Sequence, residues 1–461
     1  MLRRYLIAAA LSVVVPLAVP AGAGGSPLAA PAGGPAKATQ GRWIVVLNDP
    51  ADLVAVSEVA RHASALGGAV TGRFAGLGAL SVGLPGSALE ALRRDPHVAY
   101  LAADGPVRLL DGPAPAGWTV PGWPGTPPGS RDASRLVPPG VVRIGAAPAK
   151  VNGLATAGPA PKVAVAVVDS GISRRSDLNV AGGYDCSNDP YDKLFGDSTD
   201  DHMGHGTHVA GIIGGRGSVV GVWPGAPLYA VRVFPRFGSA QLSNVVCGLN
   251  WVADHAGELG IKVVNMSLGG DGTDDNDCGL KEKNAFHTAI CRVVDAGVTV
   301  VVAAGNDGAD LSTTTPAAFH ETLTVTAMAA FTGVAADHAA PPAGCRTKTA
   351  DETAADFSNY AVPGSPATSH VIAAPGVCVT STWNDGGTKT ISGTSMAAPH
   401  VTGLVARCID AGPCAGLTPA QIIAKLRADA AARPAATGFA GDNRHPVPGK
   451  YYGDLATVAG Y

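Results

Sequence analysis

Continuous apolar runs alternate with helix-like stretches over the larger part of this 461-residue sequence. The apolar runs lie at 163–168, 228–233, 262–266, 298–303 and 323–326. The helix-like stretches lie at 206–215, 241–255, 280–296 and 395–408, and Thr418-Pro419 opens one more. A strand buried on both faces needs no polar face, so such runs are typical of a parallel sheet covered by helices on both sides. We therefore expect an α/β domain with a three-layer αβα architecture over residues 141–430.

A smaller unit precedes this domain, over residues 41–109. Its pattern predicts strands at 43–47, 77–84 and 98–101 and helices at 53–66 and 87–94. A βαββαβ sandwich of the α+β, ferredoxin-like kind fits a unit of this length. Residues 110–140 are rich in Pro and Gly and are expected to form an exposed linker. Residues 431–461 are too few for another domain and are expected to form a C-terminal surface extension.

The first 23 residues have the composition of a signal peptide. Arg3 and Arg4 precede an apolar run at 6–19, and Ala21-Gly22-Ala23 supplies small residues for cleavage. A membrane anchor is the alternative, but the run falls short of the roughly 20 residues that span a bilayer. The paired arginines also fit a twin-arginine export signal. Either export signal predicts a secreted, extracellular protein that has no membrane contact after the signal is removed.

Eight cysteines, all after residue 185, fit an exported chain with disulfide bonds. They allow 105 pairings, so the connectivity is open, although short separation favours Cys278–Cys291 and Cys408–Cys414. The net charge is only −3 and no basic stripe is present, so no nucleic-acid partner is expected. We expect a monomer.

Three short segments each offer one member of an acid–base–nucleophile set. They are Val-Val-Asp-Ser-Gly at 167–171, His-Gly-Thr-His-Val-Ala-Gly at 205–211 and Gly-Thr-Ser-Met-Ala-Ala-Pro-His at 393–400. A serine hydroxyl needs an adjacent imidazole to take its proton and a carboxylate to orient that imidazole. Asp169, His205 and Ser395 are therefore the candidate catalytic residues.

The order Asp, His, Ser along the chain separates this set from other serine hydrolases, which place the three residues in different orders. With these motifs, residues 141–430 resemble the catalytic domain of subtilisin-like serine proteases, the subtilases, and residues 41–109 resemble the propeptide inhibitor that precedes such domains. The resemblance implies an endopeptidase that forms an acyl-enzyme on Ser395. It also implies a zymogen whose own propeptide lies in the substrate groove until it is cut within residues 103–140.

The resemblance also assigns residues that touch the substrate. Asn306, which ends Val-Val-Ala-Ala-Gly-Asn, matches the donor of the oxyanion hole. The segment at 265–270 matches the substrate-binding strand, with Ser267, Leu268 and Gly269 as its contact residues. Three further residues match the facing wall of the primary specificity pocket: Ala303, Ala304 and Gly305.

Two kinds of metal site remain open. His202 and His208 flank His205 with HxxHxxH spacing, but the glutamate of an HExxH protease is missing. Calcium is common in the family, and two acidic groups are candidates: Asp185, Asp189, Asp192, Asp197, Asp200 and Asp201, and then Asp271, Asp274, Asp275 and Asp277. Neither group has the spacing of a known calcium loop. The chemistry itself calls for no cofactor.

The sequence thus predicts a secreted serine endopeptidase that acts on polypeptides and is made as a zymogen. Two alternatives stay open. One is a non-catalytic binding protein that keeps the fold as a scaffold, and the other is a processing protease with narrow specificity.

Overall fold

The five predicted apolar runs form five of the seven strands of the central sheet, and β7 and β15 are the two that were not predicted. The computed structural model describes residues 40–110, 136–147, 160–189, 199–237, 239–335, 338–458 and 460–461. Seven parallel strands lie in the order β15-β14-β12-β10-β6-β8-β7. Their bounds are β6 Ala164–Asp169, β7 Val180–Asp185, β8 Leu228–Arg232, β10 Ile261–Met266, β12 Thr299–Ala303, β14 Leu323–Ala329 and β15 Val371–Val377. The predicted parallel sheet is confirmed.

Helices cover both faces of this sheet. Alternate residues of β6 point into two different cores, Val165 and Val167 into one and Ala166 and Val168 into the other. The first core includes residues of α4 (His205–Gly214), α7 (Thr394–Ala411) and α8 (Pro419–Ala431). The second includes residues of α5 (Leu242–Leu259) and α6 (Ala285–Asp295). This arrangement confirms the three-layer αβα architecture.

The N-terminal unit is a four-stranded antiparallel sheet with two helices. Its elements are β1 Gln40–Leu47, α1 Leu53–Ala65, β2 Ala69–Phe74, β3 Ala79–Pro85, α2 Leu89–Arg93 and β4 Val98–Ala103. The strand order β2-β3-β1-β4 is that of the predicted ferredoxin-like sandwich. Asp52 caps α1 by accepting from the amides of Val54 and Ala55, at 3.0 and 2.9 Å. Strand β2 is the one that the sequence pattern did not locate.

The remaining elements are short. They are β5 Pro106–Leu109, α3 Pro139–Arg143, β9 Ala240–Gln241, β11 Leu268–Asp271, β13 Thr314–Thr315, β16 Val379–Thr382 and β17 Thr388–Ile391. The strands β13, β11, β5 and β9 form one small sheet in that order, and β16 pairs with β17.

Three segments differ from expectation. The helix expected at 280–296 begins only at Ala285, because Asn284 caps it and accepts from two amides of its first turn. The end of the expected 110–140 linker is structured, since α3 is buried against the core through Val141. The C-terminal segment is not a surface extension, because Leu455 pairs with Ala373 of β15 and is buried.

All eight cysteines are paired. The two predicted disulfides, Cys278–Cys291 and Cys408–Cys414, are confirmed, and the other two are Cys186–Cys247 and Cys345–Cys378. Among the described residues, none of the helices has both the length and the apolar character that a membrane crossing requires. The predicted signal peptide and most of the predicted linker lie outside the described residues.

Candidate active site

Asp169 and His205 meet at the carboxyl edge of the sheet, as the sequence predicts. Asp169 is the last residue of β6 and His205 the first residue of α4. The His205 Nδ1 atom lies 2.7 Å from Asp169 Oδ1, and both side chains are buried. A carboxylate can only accept, so Nδ1 carries the proton and Nε2 is the basic nitrogen of this imidazole. The pair is thus arranged as a base and its orienting carboxylate.

A buried carboxylate, Asp201, fixes the start of α4. Its Oδ1 accepts from the amides of Met203 and Gly204 at 2.9 and 2.7 Å and from the Ser170 hydroxyl at 2.9 Å. Its Oδ2 accepts from the amide and hydroxyl of Thr207 at 2.8 and 2.7 Å. Burial raises the pKa of the Asp201 carboxyl, although these hydrogen bonds act in the opposite direction. Asp201 therefore ties the first turn of α4 to the residue that follows β6.

Ser395 lies in the first turn of α7, which packs against α4. Its Oγ atom lies 2.6 Å from the carbonyl oxygen of Leu110 and 3.0 Å from that of Ser267. The hydroxyl is buried and faces the end of the N-terminal unit. The candidate nucleophile and the candidate base thus begin two neighbouring helices.

The side-chain amide of Asn306 points at the same Leu110 oxygen. Its Nδ2 donates a short hydrogen bond to that carbonyl. Its Oδ1 accepts from the amide and the hydroxyl of Thr394, both at 2.9 Å. Because Oδ1 is held by two donors, the amide nitrogen must face the Leu110 carbonyl. The geometry is that of an oxyanion donor with a carbonyl already in place.

The tail of the N-terminal unit lies in the groove as a strand. Strand β5 pairs with β11 on one side and β9 on the other, in the registers Leu109↔Leu268, Arg108↔Gly269, Val107↔Ala240 and Pro106↔Gln241. The Leu110 amide continues the ladder by donating to the Ser267 carbonyl at 3.2 Å. The Leu110 side chain is 2% exposed and packs over Gly269, where an added Cβ would lie 3.1 Å from Leu110 Cδ1. An extended peptide therefore fills the groove up to Ser395.

The other predicted substrate residues lie in or next to β11 and at the end of β12. Leu268 and Gly269 belong to β11 and pair with the tail. The Ser267 side chain turns away from the groove and donates to the Ser395 carbonyl at 2.9 Å. Ala303 ends β12 and shares an apolar core with Leu110, and Ala304 and Gly305 follow it directly.

The histidines that flank His205 take separate partners. His208 is buried, and its Nε2 lies 3.2 and 3.0 Å from the carbonyl oxygens of Val379 and Lys389. His202 Nε2 accepts from Arg236 at 3.0 Å. Since the imidazoles face different groups, the HxxHxxH spacing does not form a metal site here.

Two carboxylates of the first acidic group, Asp189 and Asp201, accept hydrogen bonds from protein donors. Asp189 pairs with the buried Arg232 at 2.9 Å and accepts from the Arg236 amide at 2.7 Å. Asp201 accepts from the amides at the start of α4. Asp192 and Asp197 lie outside the described residues. Asp189 and Asp201 therefore each use their oxygens to hold parts of the protein together.

Several residues of the site have roles that the sequence did not predict. Leu110, Thr394 and Asp201 act here through contacts that only the fold creates. Asn359 is a fourth case, because its Oδ1 accepts from the amides of Asp307 and Ala309 at 3.0 Å each and so shapes the loop that carries Asn306. The position of Thr394 beside Ser395, within the segment at 393–400, is the one signal that was present.

The chain is similar to known proteins over most of its length. The sequence model of the subtilase family matches residues 160–446. The chain is 33% identical over 416 residues to an extracellular serine proteinase of Thermus sp. (strain Rt41A), covering 85% of each chain. It is 30% identical over 403 residues to subtilisin E of Bacillus subtilis (strain 168), covering 85% of this chain and 86% of the relative. The crystal structure of a cold-adapted subtilisin-like serine proteinase, 29% identical, aligns with a TM-score of 0.50 over 69% of this chain and 97% of the other.

Proposed function

Because this chain belongs to the subtilase family of serine proteases, we propose that it is a secreted endopeptidase that is made as an inactive precursor and cuts its own chain after Leu110. Asp169, His205 and Ser395 form the catalytic triad, and Asn306 is the oxyanion donor. Residues 41–110 are the propeptide, and they block the groove until that bond is cut.

One observation carries this proposal. The Leu110 carbonyl oxygen lies 2.6 Å from the Ser395 hydroxyl and also accepts from the Asn306 amide. A scissile carbonyl must lie between a nucleophile and an oxyanion donor, and no ordinary structural role requires that pair of contacts. The bond that joins Leu110 to Asp111 is therefore the first substrate of the enzyme.

The reaction follows from the positions of these groups. His205 Nε2 takes the proton of Ser395 while Oγ bonds to the Leu110 carbonyl carbon. The negative charge that forms on the carbonyl oxygen is stabilised by the Asn306 amide. His205 then gives the proton to the leaving nitrogen, the C–N bond breaks, and water hydrolyses the resulting ester by the same steps. Asp169 keeps Nδ1 protonated throughout.

Two observations support secretion. The relative from Thermus sp., which aligns with 85% of this chain, is named an extracellular serine proteinase. All eight cysteines form disulfides, which persist in oxidising compartments.

The preferred residue before the scissile bond follows from Leu110. Its side chain is buried over Gly269 in an apolar core, so the pocket fits leucine and disfavours charged side chains. A peptide library digested by the mature enzyme should be cut mainly after leucine and residues of similar size and character. A single long recognition motif in the same digest would support the narrow processing protease instead.

A fluorophosphonate probe tests the catalytic assignment. We expect it to label the mature protein once, and Ser395→Ala to abolish both the label and the hydrolysis of polypeptides. Ser392→Ala is the matched control, because Ser392 lies three residues before Ser395, just ahead of α7, and its Oγ accepts from the Cys378 amide. Labelling that persists in Ser395→Ala, or an active Ser395→Ala enzyme, would reject the assignment and favour the scaffold alternative.

A further inference from the structure

A second cluster of titratable side chains lies away from the proposed active site. It consists of Asp274, in the loop after β11, His287, in the first turn of α6, and His320 and Glu321, in the loop before β14. His320 and Glu321 precede the amino end of a sheet strand, whereas Asp169 and Asn306 follow carboxyl ends. We call these four residues the His–Asp cluster.

The two imidazoles of the His–Asp cluster share one carboxylate. His320 Nδ1 lies 2.8 Å from Asp274 Oδ2, and His287 Nδ1 lies 3.7 Å from Asp274 Oδ1. One possible ligand atom from each of the three residues lies within 4.8 Å of the others. Ligands of a tetrahedral zinc ion lie about 2.0–2.2 Å from the metal, so a movement of about 1 Å brings these atoms to bonding distance. His320 is 44% exposed and has room to make it.

Glu321 holds both imidazoles from the opposite side. Its Oε2 lies 2.8 Å from His287 Nε2, and its Oε1 lies 3.3 Å from His320 Nε2. Metal-binding histidines commonly donate their second ring nitrogen to such a carboxylate, which fixes the ring and strengthens the ligand. Here one carboxylate does this for two rings, which leaves His320 Nδ1 facing Asp274 and His287 Nδ1 between Asp274 and Asp275.

The position of His287 is fixed before any ion binds. Its ring stacks on Phe319, with the ring centres 4.0 Å apart and the planes 1° from parallel. Its Nδ1 also lies 3.1 Å from Asp275 Oδ1, which brings a second carboxylate to the same point. Asp275 is itself held by the backbone amides of its loop, among them that of Gly279 at 2.9 Å. A rigid ligand set costs little to order when it binds an ion.

A cavity of about 350 Å³ adjoins the His–Asp cluster. It is lined by His320, Glu321, His370 and Arg427 among others. His370 is only 2% exposed, and neither of its ring nitrogens has a hydrogen-bond partner within the described parts of the chain. This mostly apolar cavity reaches His320 and leaves its partly exposed ring accessible to an ion from solvent.

We propose that Asp274, His287 and His320 bind one divalent transition-metal ion, such as zinc, with Glu321 supporting both imidazoles. Imidazole nitrogens with a carboxylate suit zinc and its neighbours, whereas calcium takes oxygen ligands. The ion joins the loop after β11, α6 and the loop before β14, so it stabilises this face of the fold. The neighbouring group of Cys278, Cys291 and Glu321 does not compete, because its two thiols form a disulfide.

Zinc binding to the full-length Ser395→Ala chain tests the proposal without self-cleavage and without reference to activity. The chain is stripped with a chelator and dialysed against buffered Zn²⁺, and bound zinc is counted by mass spectrometry. We expect one zinc per chain and at least a tenfold weaker Kd in His320→Gln. The matched control is His445→Gln, because His445 is 51% exposed and also faces a carboxylate, Asp442, at 3.0 Å.

Asp274→Asn is a second variant, with circular dichroism as the check that each variant folds. It removes the charge of the shared carboxylate and should also weaken Kd at least tenfold. The proposal is wrong if the parent chain binds no zinc in a one-to-one ratio. It is also wrong if His320→Gln and His445→Gln lower the affinity equally, or if folded Asp274→Asn binds as tightly as the parent.

Discussion

Neighbouring residues orient the Asn306 side-chain amide towards the Leu110 carbonyl. Thr394 supplies two donors to Asn306 Oδ1, and the Thr394 hydroxyl in turn accepts from the Gly305 amide at 3.1 Å. The side-chain nitrogen is thereby left to face the carbonyl of the scissile bond. Its hydrogen bond should strengthen as charge develops on that oxygen, so it contributes mainly to the transition state.

Asn306→Leu should therefore lower kcat and leave KM nearly unchanged. The loss measured for the corresponding donor in a subtilisin is about 10²–10³ in kcat, and we expect a loss of that order. Steady-state kinetics on a peptide with leucine before the scissile bond is the measurement, with Asp307→Asn as the neighbouring control because Asp307 is 53% exposed. A kcat within threefold of the parent would contradict the role of Asn306.

The buried His400 of the active-site helix α7 should make the free energy of unfolding depend on pH. It is fully buried in α7, and its Nδ1 donates to the Met396 carbonyl at 2.8 Å. Burial lowers the pKa of His400 to about 4 from the usual 6.5, and the Met396 hydrogen bond does not offset it. Between those values the unfolded chain binds a proton that the folded chain does not, so stability rises with pH across this window. The neutral His400 therefore leaves the unfolding free energy undiminished above about pH 6.5, and this free energy falls as the pH is lowered towards 4.

His400→Leu should remove this pH dependence. Lowering the pH from 7 to 5 should reduce the unfolding free energy of the parent by about 2 kcal/mol through His400 alone. The loss of unfolding free energy in His400→Leu over the same pH range should be smaller by that amount. Urea unfolding of the Ser395→Ala chain at both pH values gives the comparison, with the exposed His445→Gln as control. An equal loss in His400→Leu and the parent would mean that another group causes the effect.

At the scale of elements, the tail strand β5 is held at both ends. Leu110 is held at its carboxyl end, and Asp104 lies just before its amino end. The Asp104 carboxylate accepts from the amide and hydroxyl of Ser243, in the first turn of α5, at 2.7 and 2.9 Å. It also pairs with Arg42 of β1 at 3.2 Å. Asp104 thus caps a helix of the catalytic domain from within the N-terminal unit.

Asp104→Ala should release the cut N-terminal unit sooner. Loss of a helix cap costs about 1–2 kcal/mol, which corresponds to a roughly tenfold faster appearance of activity after cleavage. The lag before peptide hydrolysis measures this, with Asp49→Ala as control because Asp49 caps an exposed turn of the same unit. If both variants show the same lag as the parent, the cap does not hold the unit.

The sequence predicted the strands that are continuous apolar runs, but it missed the short elements and also β2, β7 and β15, for a physical reason. Strand β6 is a continuous apolar run, so its own residues predict that it is buried on both faces. Strand β5 is only four residues, Pro-Val-Arg-Leu, and it is extended because β11 and β9 pair with it from both sides. Such a strand has no pattern of its own to detect.

The same distinction holds for the site. Asp169, His205 and Ser395 lie in segments with strong local signatures, so each was found by itself. Leu110 and Asn359 have their positions only because distant parts of the chain meet there. Likewise the disulfides that close 6 and 13 residues were predicted, whereas those that close 33 and 61 residues depend on the fold.

At the scale of the whole molecule, the N-terminal unit and the catalytic domain form one compact body over Gln40–Tyr461. The domain holds the tail of the unit as it would hold a substrate, in an antiparallel ladder that ends at Ser395. In the proposed function, inhibition and the first catalytic event therefore use the same contacts. Cleavage would free the carboxyl end at Leu110, and release of the unit would open the groove to other polypeptides.

The mass of the products that form when the purified full-length precursor is incubated tests this account most directly. We predict a single early cut that yields a fragment ending at Leu110 and an enzyme beginning at Asp111, and no cut in Ser395→Ala kept under the same conditions. A first cut elsewhere in the chain, or a Ser395→Ala precursor that matures at the parent's rate, would contradict it.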